Sequence, residues 1–279
     1  MVQGLGGFDP RATYSAAAEA YERASQKYWK YLSTRTVERL RLQPGHQVLD
    51  VACGTGPATV AAARDVTPGG RVVGVDYAEG MLAVARRTVA DCGLPNIELL
   101  QGNMLSLPYG DEFDVVLCVL GLFFVDDMHA AGRALWSHVR PGGRLALTTF
   151  GADVWEPVLA HFVEAAGRAS PDIERILPWR RAEDPALLED VMRQAGAADV
   201  RVETDADDVP FGAADWPLIV MGSGLRRIAN DLGPLAGEVI GETITWAANQ
   251  GLTSVRISSN YAVAVKAEPA RQRELKSGL

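Results

Sequence analysis

Basic residues are in short supply in this chain: 27 Lys and Arg stand against 35 Asp and Glu, a formal charge of −8 over 279 residues. No Lys/Arg cluster interleaved with aromatics appears, so a phosphate-tracking surface is not expected and nucleic acid is a poor substrate class. Cysteine is equally sparse. Cys53, Cys92 and Cys118 are odd in number and scattered, with no CxxC pair, which fits a reducing compartment better than a disulfide scaffold. The four histidines show no metal-ligand spacing, and no metal is expected. The longest apolar run, Val115 to Val125, is too short to span a bilayer and is broken by Gly121. The start of the chain lacks a basic stretch followed by an apolar core. A cytoplasmic protein without integral membrane association is therefore expected. Its length suffices for a full sheet-and-helix core, and one domain with an inserted cover is more economical than two.

What the chain does contain is concentrated in Val48-Leu49-Asp50-Val51-Ala52-Cys53-Gly54-Thr55-Gly56-Pro57. A buried strand, a carboxylate, a tight glycine turn and a helix start follow one another there, which is the build of a nucleoside-cofactor pocket. Gly54 and Gly56 let the backbone turn sharply against a ligand, Pro57 suits a first helical turn, and exposed amides at the turn favour an anion. The Gly-Lys-Ser/Thr of a phosphate loop is missing, and Thr59 stands where a dinucleotide fingerprint wants a third small residue. Arg71 to Asp76 reads as a second short strand ending in an acid, at about the 20-residue distance expected of a ribose-binding carboxylate.

Further apolar runs fall at Asn96–Gln101, Val115–Leu120 and Arg144–Phe150. Lacking alternation, they suggest strands covered on both faces, and the intervening helices suggest a parallel sheet. Crossover helices are expected over Pro57–Arg64, Glu79–Asp91 and Asp127–Val139, the last capped by its acid. The residues before Gly7 look loose. Arg11 to Leu32 has helical spacing and is expected to form a cover (residues 8–32), followed by a helix over Thr34–Leu42 that leads into a core of residues 34–150. Residues 151–250 read as helical cover and substrate segments, with helices at Trp155–Ala169, Asp184–Ala195, Ala213–Asn230 and Pro234–Asn249. A core strand is expected near 199–204 and a closing strand over 254–266.

Taken in order, these motifs resemble the class I S-adenosylmethionine-dependent methyltransferases, in particular the small-molecule branch that includes ubiquinone and menaquinone biosynthesis enzymes. The likeness runs from about Thr34 to Phe150. It implies a Rossmann-like α/β fold: a seven-stranded, mostly parallel sheet with its last strand antiparallel and helices on both faces. It further implies S-adenosyl-L-methionine at the strands' carboxyl ends. The turn from Ala52 through Cys53 and Gly54 to Gly56 would meet the methionine part, Asp76 the ribose hydroxyls, and Tyr77 and Met81 the adenine environment. Asn103 would face the adenine amine, Met104 would offer its amide to the ring, and Asp50 and Cys118 belong to the same expected cofactor site. The chain departs from the common family pattern twice. Ala52 replaces a frequent Gly, tolerable if its φ stays below zero, and Asn103 replaces a frequent Asp, removing a charge but keeping an acceptor oxygen.

The expected activity is methyl transfer to an apolar small-molecule acceptor, whether at oxygen, carbon or nitrogen. Phe123, Phe124 and Trp155 are candidates for the acceptor pocket, and packing under the cover is an equal alternative for the two phenylalanines. Many relatives carry a His near Phe123; its absence leaves no evident general base. Asp126 and Asp127 read as helix-start residues, while Tyr14 and Tyr21 either close over the cofactor or pack. An NAD(P)-dependent oxidoreductase and a non-catalytic S-adenosylmethionine-binding protein are the rival readings.

Overall fold

Val48, Leu49 and Val51 in β1 (Gln47–Val51) are sealed from solvent, because β2 (Arg71–Asp76) pairs with one edge and β4 (Phe113–Val119) with the other. The computed structural model describes residues 8–25 and 27–268, so the expectation of a loose segment before Gly7 lies outside the described residues. With β3 (Ile97–Gln101), β5 (Val139–Phe150), β6 (Asp199–Pro210) and β7 (Ser254–Val265), the sheet has seven strands in the order β3-β2-β1-β4-β5-β7-β6. The first five run parallel, and β7 lies antiparallel between β5 and β6. This is the expected Rossmann-like α/β arrangement. The strand order reverses between β1 and β4, and in open α/β sheets ligands bind in the crevice outside the carboxyl ends at such a point.

Helices α2 (Trp29–Leu40) and α3 (Pro57–Asp65) pack on one face of the sheet, where Val37, Leu40, Ala62 and Ala63 meet Val48, Val72 and Val115. On the other face, α5 (Met128–Ser137) and α7 (Pro185–Gln194) bury Leu135, Leu188 and Val191 against Leu49, Val116 and Leu147. Asp127 and Asp184 cap these two helices, accepting the Ala130 and Ala186 amides at 2.8 and 2.9 Å. Above the strand ends lies a cover of α1 (Pro10–Ser25), α6 (Val158–Ala169), α8 (Asp215–Gly222), α9 (Arg226–Leu232) and α10 (Ala236–Asn249). Its own core contains Trp155, Phe162, Trp216, Ile219 and Ile228. α1 is seated against α4 (Glu79–Cys92) and α8 by two glycines. A Cβ on Gly80 would lie 2.7 Å from Ser15 Cα, and one on Gly222 2.8 Å from the Tyr21 nitrogen.

Several expected boundaries move. The single helix expected over Arg11–Leu32 is two, α1 and α2, with the break between Ser25 and Trp29; Tyr28 and Trp29 are thereby both buried. No Gly or Pro marks that break. The helix expected from Trp155 begins at Val158, and Trp155 precedes it in a left-handed conformation. The helix over Ala213–Asn230 is interrupted at Ser223 and becomes α8 and α9. β6 continues to Pro210, six residues past the expected end. The acids along it are carboxylates on an edge strand: Asp205 pairs with Arg35 and Arg39, Asp208 with Arg256, and Glu203, inside the expected strand, with Arg39. Charges on an edge strand also discourage pairing with another chain.

Candidate active site

Every parallel strand contributes its carboxyl-terminal residues to one cavity of about 920 Å³. Ala52 and Gly54 follow β1, Asp76 ends β2 with Tyr77 after it, Gly102 to Leu105 follow β3, and Val119 ends β4 with Leu120, Gly121 and residues 123–127 after it. Phe150 and Trp155 follow β5, and Phe8 to Arg11, Tyr14 and Tyr21 close the roof from the α1 segment. The volume lies toward the upper end of the roughly 300–1,000 Å³ of small-molecule sites, enough for a nucleoside with a second ligand beside it.

One half is polar and built on the glycine turn. The Asp76 carboxylate accepts the Gly54 amide through Oδ2 and the Ala78 amide through Oδ1, both at 2.8 Å, so it locks the turn to the end of β2. Burial pushes its pKa up, and the amides of Ala78, Gly54 and Tyr77 oppose that shift. The turn's amides are less available than the sequence suggested: Cys53 donates to the Val75 carbonyl and Gly56 to the Cys53 carbonyl, both at 3.0 Å. Ala52 has φ +60° and does not keep φ below zero; it adopts the conformation glycine favours. Leu120 (φ +58°) and Trp155 (φ +60°) share it, and all three line the cavity. Backbone strain of this kind costs about 1–3 kcal/mol per residue and clusters at functional sites.

Among the expected cofactor residues, Ala52, Gly54, Asp76, Tyr77, Met81, Asn103 and Met104 line the cavity together. Asp50, Cys53, Gly56 and Cys118 are not among the lining residues. Asp50 is fully buried, with Oδ2 accepting the Thr59 hydroxyl at 2.6 Å, Oδ1 without a partner, and a pKa pushed up to about 7 by burial. Cys53 packs toward Gly74, and Cys118 lies under Gly121, where a Cβ would come within 2.8 Å of its sulfur. Burial pushes both thiols up, Cys118 to about 12, so neither is a thiolate near neutral pH. Asn103 Oδ1 accepts the Leu105 amide at 3.0 Å, which commits one of its lone pairs to its own turn.

The other half is aromatic. Phe123, Phe124 and Trp155, the acceptor-pocket candidates, line it together with Trp29, Phe150 and Trp179. Trp155 meets Trp29, Phe150 and Trp179 with ring centroids 5.3, 5.2 and 5.5 Å apart, and Phe123 meets Phe124 at 4.6 Å. Arg181 holds this wall in place from a short 3₁₀ turn over Pro178–Ala182. Its guanidinium donates to the carbonyls of Phe123 (3.2 Å), Val125 (3.0 Å) and Asp126 (3.0 Å). Sequence reasoning missed Arg181, Trp179, Phe150 and Arg11; they come from segments far apart in the chain, and their packing has no local signature.

Among the described residues no His or Lys lines the cavity, Arg11 is the one cation, set over the Tyr77 ring at 5.1 Å, and four acids line it, Asp9, Asp76, Asp126 and Asp127. Tyr14 and Tyr21 are driven above their ordinary pKa by burial, so neither is a base near neutral pH. His161, in α6 of the cover, stacks on Trp246 with ring centroids 4.4 Å apart.

The site suits a nucleoside with a cationic centre. Asp76 has lone pairs left for ribose hydroxyls after serving two amides, and Asp50 Oδ1 and the Thr55 hydroxyl are buried beneath the turn without partners. Among the described lining residues of the whole cavity, acids outnumber bases.

Comparison with known proteins bears on the family and the fold. Residues 48–143 match the family described as "Methyltransferase domain". A demethylmenaquinone methyltransferase of Symbiobacterium thermophilum is 33% identical over 222 residues, covering 70% of this chain and 85% of that protein. One of Listeria monocytogenes is 40% identical over 112 residues, covering 40% of this chain and 47% of that protein. The chain thus spans about half the length of several of the curated relatives it matches. Among solved structures, Haemonchus contortus phosphoethanolamine N-methyltransferase 2 in complex with S-adenosyl-L-methionine superposes with a TM-score of 0.60 at 17% identity. The overlap covers 94% of this chain and 61% of that one, a likeness of fold.

Proposed function

From the premise that this chain belongs to the class I S-adenosylmethionine-dependent methyltransferase family, we propose that it transfers a methyl group to an uncharged aromatic acceptor of the quinol or phenol class. S-adenosylmethionine, its cofactor, supplies a methyl group already activated on a sulfonium, so the protein need contribute mainly position and dryness. In this reading Asp76 takes the ribose hydroxyls, and Tyr77, Met81, Asn103 and Met104 surround the adenine. Ala52 and Gly54 leave room for the amino-acid part.

The observation that carries the acceptor class is the wall formed by Trp29, Phe123, Phe124, Phe150, Trp155 and Trp179, without a cation among them. Flat aromatic faces stack favourably on a planar ring. A phosphate or carboxylate placed there would lose its hydration and meet only rings and acids, at a cost of several kcal/mol. The acceptor named by the relatives, demethylmenaquinone, is consistent with such a pocket. With no His or Lys among the described lining residues, a proton leaving the acceptor has only the lining carboxylates or solvent to go to, which again favours an acidic quinol or phenol over an alcohol. The rings exclude water, and Arg181 keeps their loop from relaxing.

The test is transfer of radiolabelled methyl from S-adenosylmethionine to matched acceptors: a hydroquinone, a phenol, a primary amine and a carboxylated phenol. The hydroquinone or phenol is expected to be labelled, and the carboxylated ring at less than a tenth of that rate. Labelling confined to the amine or the carboxylated ring refutes the assignment, and labelling of none refutes the activity.

A further inference from the structure

The amino-acid end of S-adenosylmethionine carries a carboxylate, and the cavity offers it few partners. Three amides of the glycine turn are committed internally: Gly54 to Asp76, Cys53 to Val75 and Gly56 to Cys53. The one lining cation among the described residues, Arg11, lies over Tyr77 beyond the end of β2. One side chain faces the turn from the roof with its polar atom uncommitted. The Tyr21 hydroxyl stands 3.7 Å from where a Cβ on Gly54 would be, and it makes no hydrogen bond among the described residues. Its ring is fixed on two sides, stacked on Trp29 at 5.4 Å and edge-on to Tyr14 at 6.1 Å. The close approach of α1 at Gly80 and Gly222 sets its height above the turn.

We propose that the Tyr21 hydroxyl is the donor that holds the carboxylate of the cofactor's amino-acid tail, making α1 part of the cofactor site. The inference rests on the reading of this cavity as an S-adenosylmethionine pocket. Burial, together with the neighbouring carboxylates of Asp76, Glu22 and Asp50, keeps the phenol protonated, so it is a permanent donor there. A hydrogen bond from a neutral donor to a carboxylate is among the stronger ones. No basic residue among the described ones lies at the turn, and Tyr21 is the roof side chain whose hydroxyl stands nearest Gly54.

The test compares wild type and Tyr21→Phe by calorimetry with two ligands, S-adenosylhomocysteine and 5′-methylthioadenosine, which keeps the nucleoside thioether but lacks the amino-acid tail. The expected result is a loss of S-adenosylhomocysteine affinity on the order of tenfold, with 5′-methylthioadenosine unchanged within about twofold. Unchanged affinity for S-adenosylhomocysteine overturns the proposal, and so does an equal loss for both ligands, which would mark Tyr21 as packing alone. If wild type binds neither ligand, the reading of the cavity itself fails. If it binds both and the variant shows no selective loss, only the role of Tyr21 fails.

Discussion

Replacing Asp76 with Asn separates the two things this carboxylate is asked to do. In the protein alone its two oxygens each accept a backbone amide at 2.8 Å, from Gly54 and from Ala78. An Asn side chain has one acceptor oxygen and a donor NH₂, so one of those amides would face another donor. Losing a charge-assisted hydrogen bond in a buried setting costs about 1.5–3 kcal/mol. Against this, burial raises the pKa of Asp76, which means its surroundings penalise the charge on balance, and a neutral side chain escapes that penalty. The expected loss of folding stability is therefore small, about 1 kcal/mol. The ligand term has no such offset. A ribose diol donating to a carboxylate loses a bond of about 1.5–3 kcal/mol, which corresponds to a roughly 10- to 100-fold loss of S-adenosylhomocysteine affinity. A thermodynamic cycle isolates this direct term: calorimetry of wild type and Asp76→Asn with S-adenosylhomocysteine and with its 2′,3′-dideoxy analogue. Wild type should prefer the diol, and the variant should lose most of that preference. If the two losses are simply additive, Asp76 acts through the turn alone and its role as the ribose acid is refuted.

Three further outcomes follow from the same geometry. The folded-state pKa of Asp50, raised by burial to about 7, lies above its unfolded value, so this group's contribution is full at low pH and is lost as pH rises through 7. Urea unfolding should show wild type losing about 2 kcal/mol between pH 5 and 7 relative to Asp50→Asn, and parallel pH profiles would contradict the shift. Ala52→Gly should raise stability by about 0.5–1 kcal/mol, since relief of a left-handed alanine, about 1–2 kcal/mol, exceeds the entropy cost of glycine; a drop of more than 1 kcal/mol in chemical denaturation would argue against strain at this residue. Gly80→Ala, which in an ordinary helix gains about 1 kcal/mol, should instead cost about 1–3 kcal/mol because the methyl meets the Ser15 backbone. A higher Tm for that variant would mean α1 is not seated as described.

The sheet was legible because its strands are covered on both faces and so read as unbroken apolar runs: Val72, Val73 and Val75 are as buried as Val115, Val116 and Leu117. The polar half of the site was legible for a related reason. Gly54, Asp76, Asn103 and Met104 sit just past strand ends, so locating a strand locates them. β6 was read short because Asp205, Asp207 and Asp208 have loop-like chemistry, and the arginines that make them strand residues lie some 170 residues earlier or on the neighbouring strand. The break before Trp29 was invisible because it is made by burial of Tyr28 and Trp29, not by a breaker residue. The aromatic half draws on the start of α2, the end of β5 and the segment after it, the segment after β4 and the Pro178–Ala182 turn, and no local pattern announces that these meet. At Ala52 the sequence showed a small residue at the turn, whereas its left-handed conformation is a property of the folded turn.

The most direct measurement is a crystal structure of the protein grown with S-adenosylhomocysteine. The account predicts density for the nucleoside between the ends of β1 and β2, with the ribose on Asp76, the amino-acid tail over Gly54 and the sulfur turned toward the rings of Phe123 and Trp155. Density for the ligand elsewhere, or a crevice that stays closed to it at saturating concentration, contradicts the account.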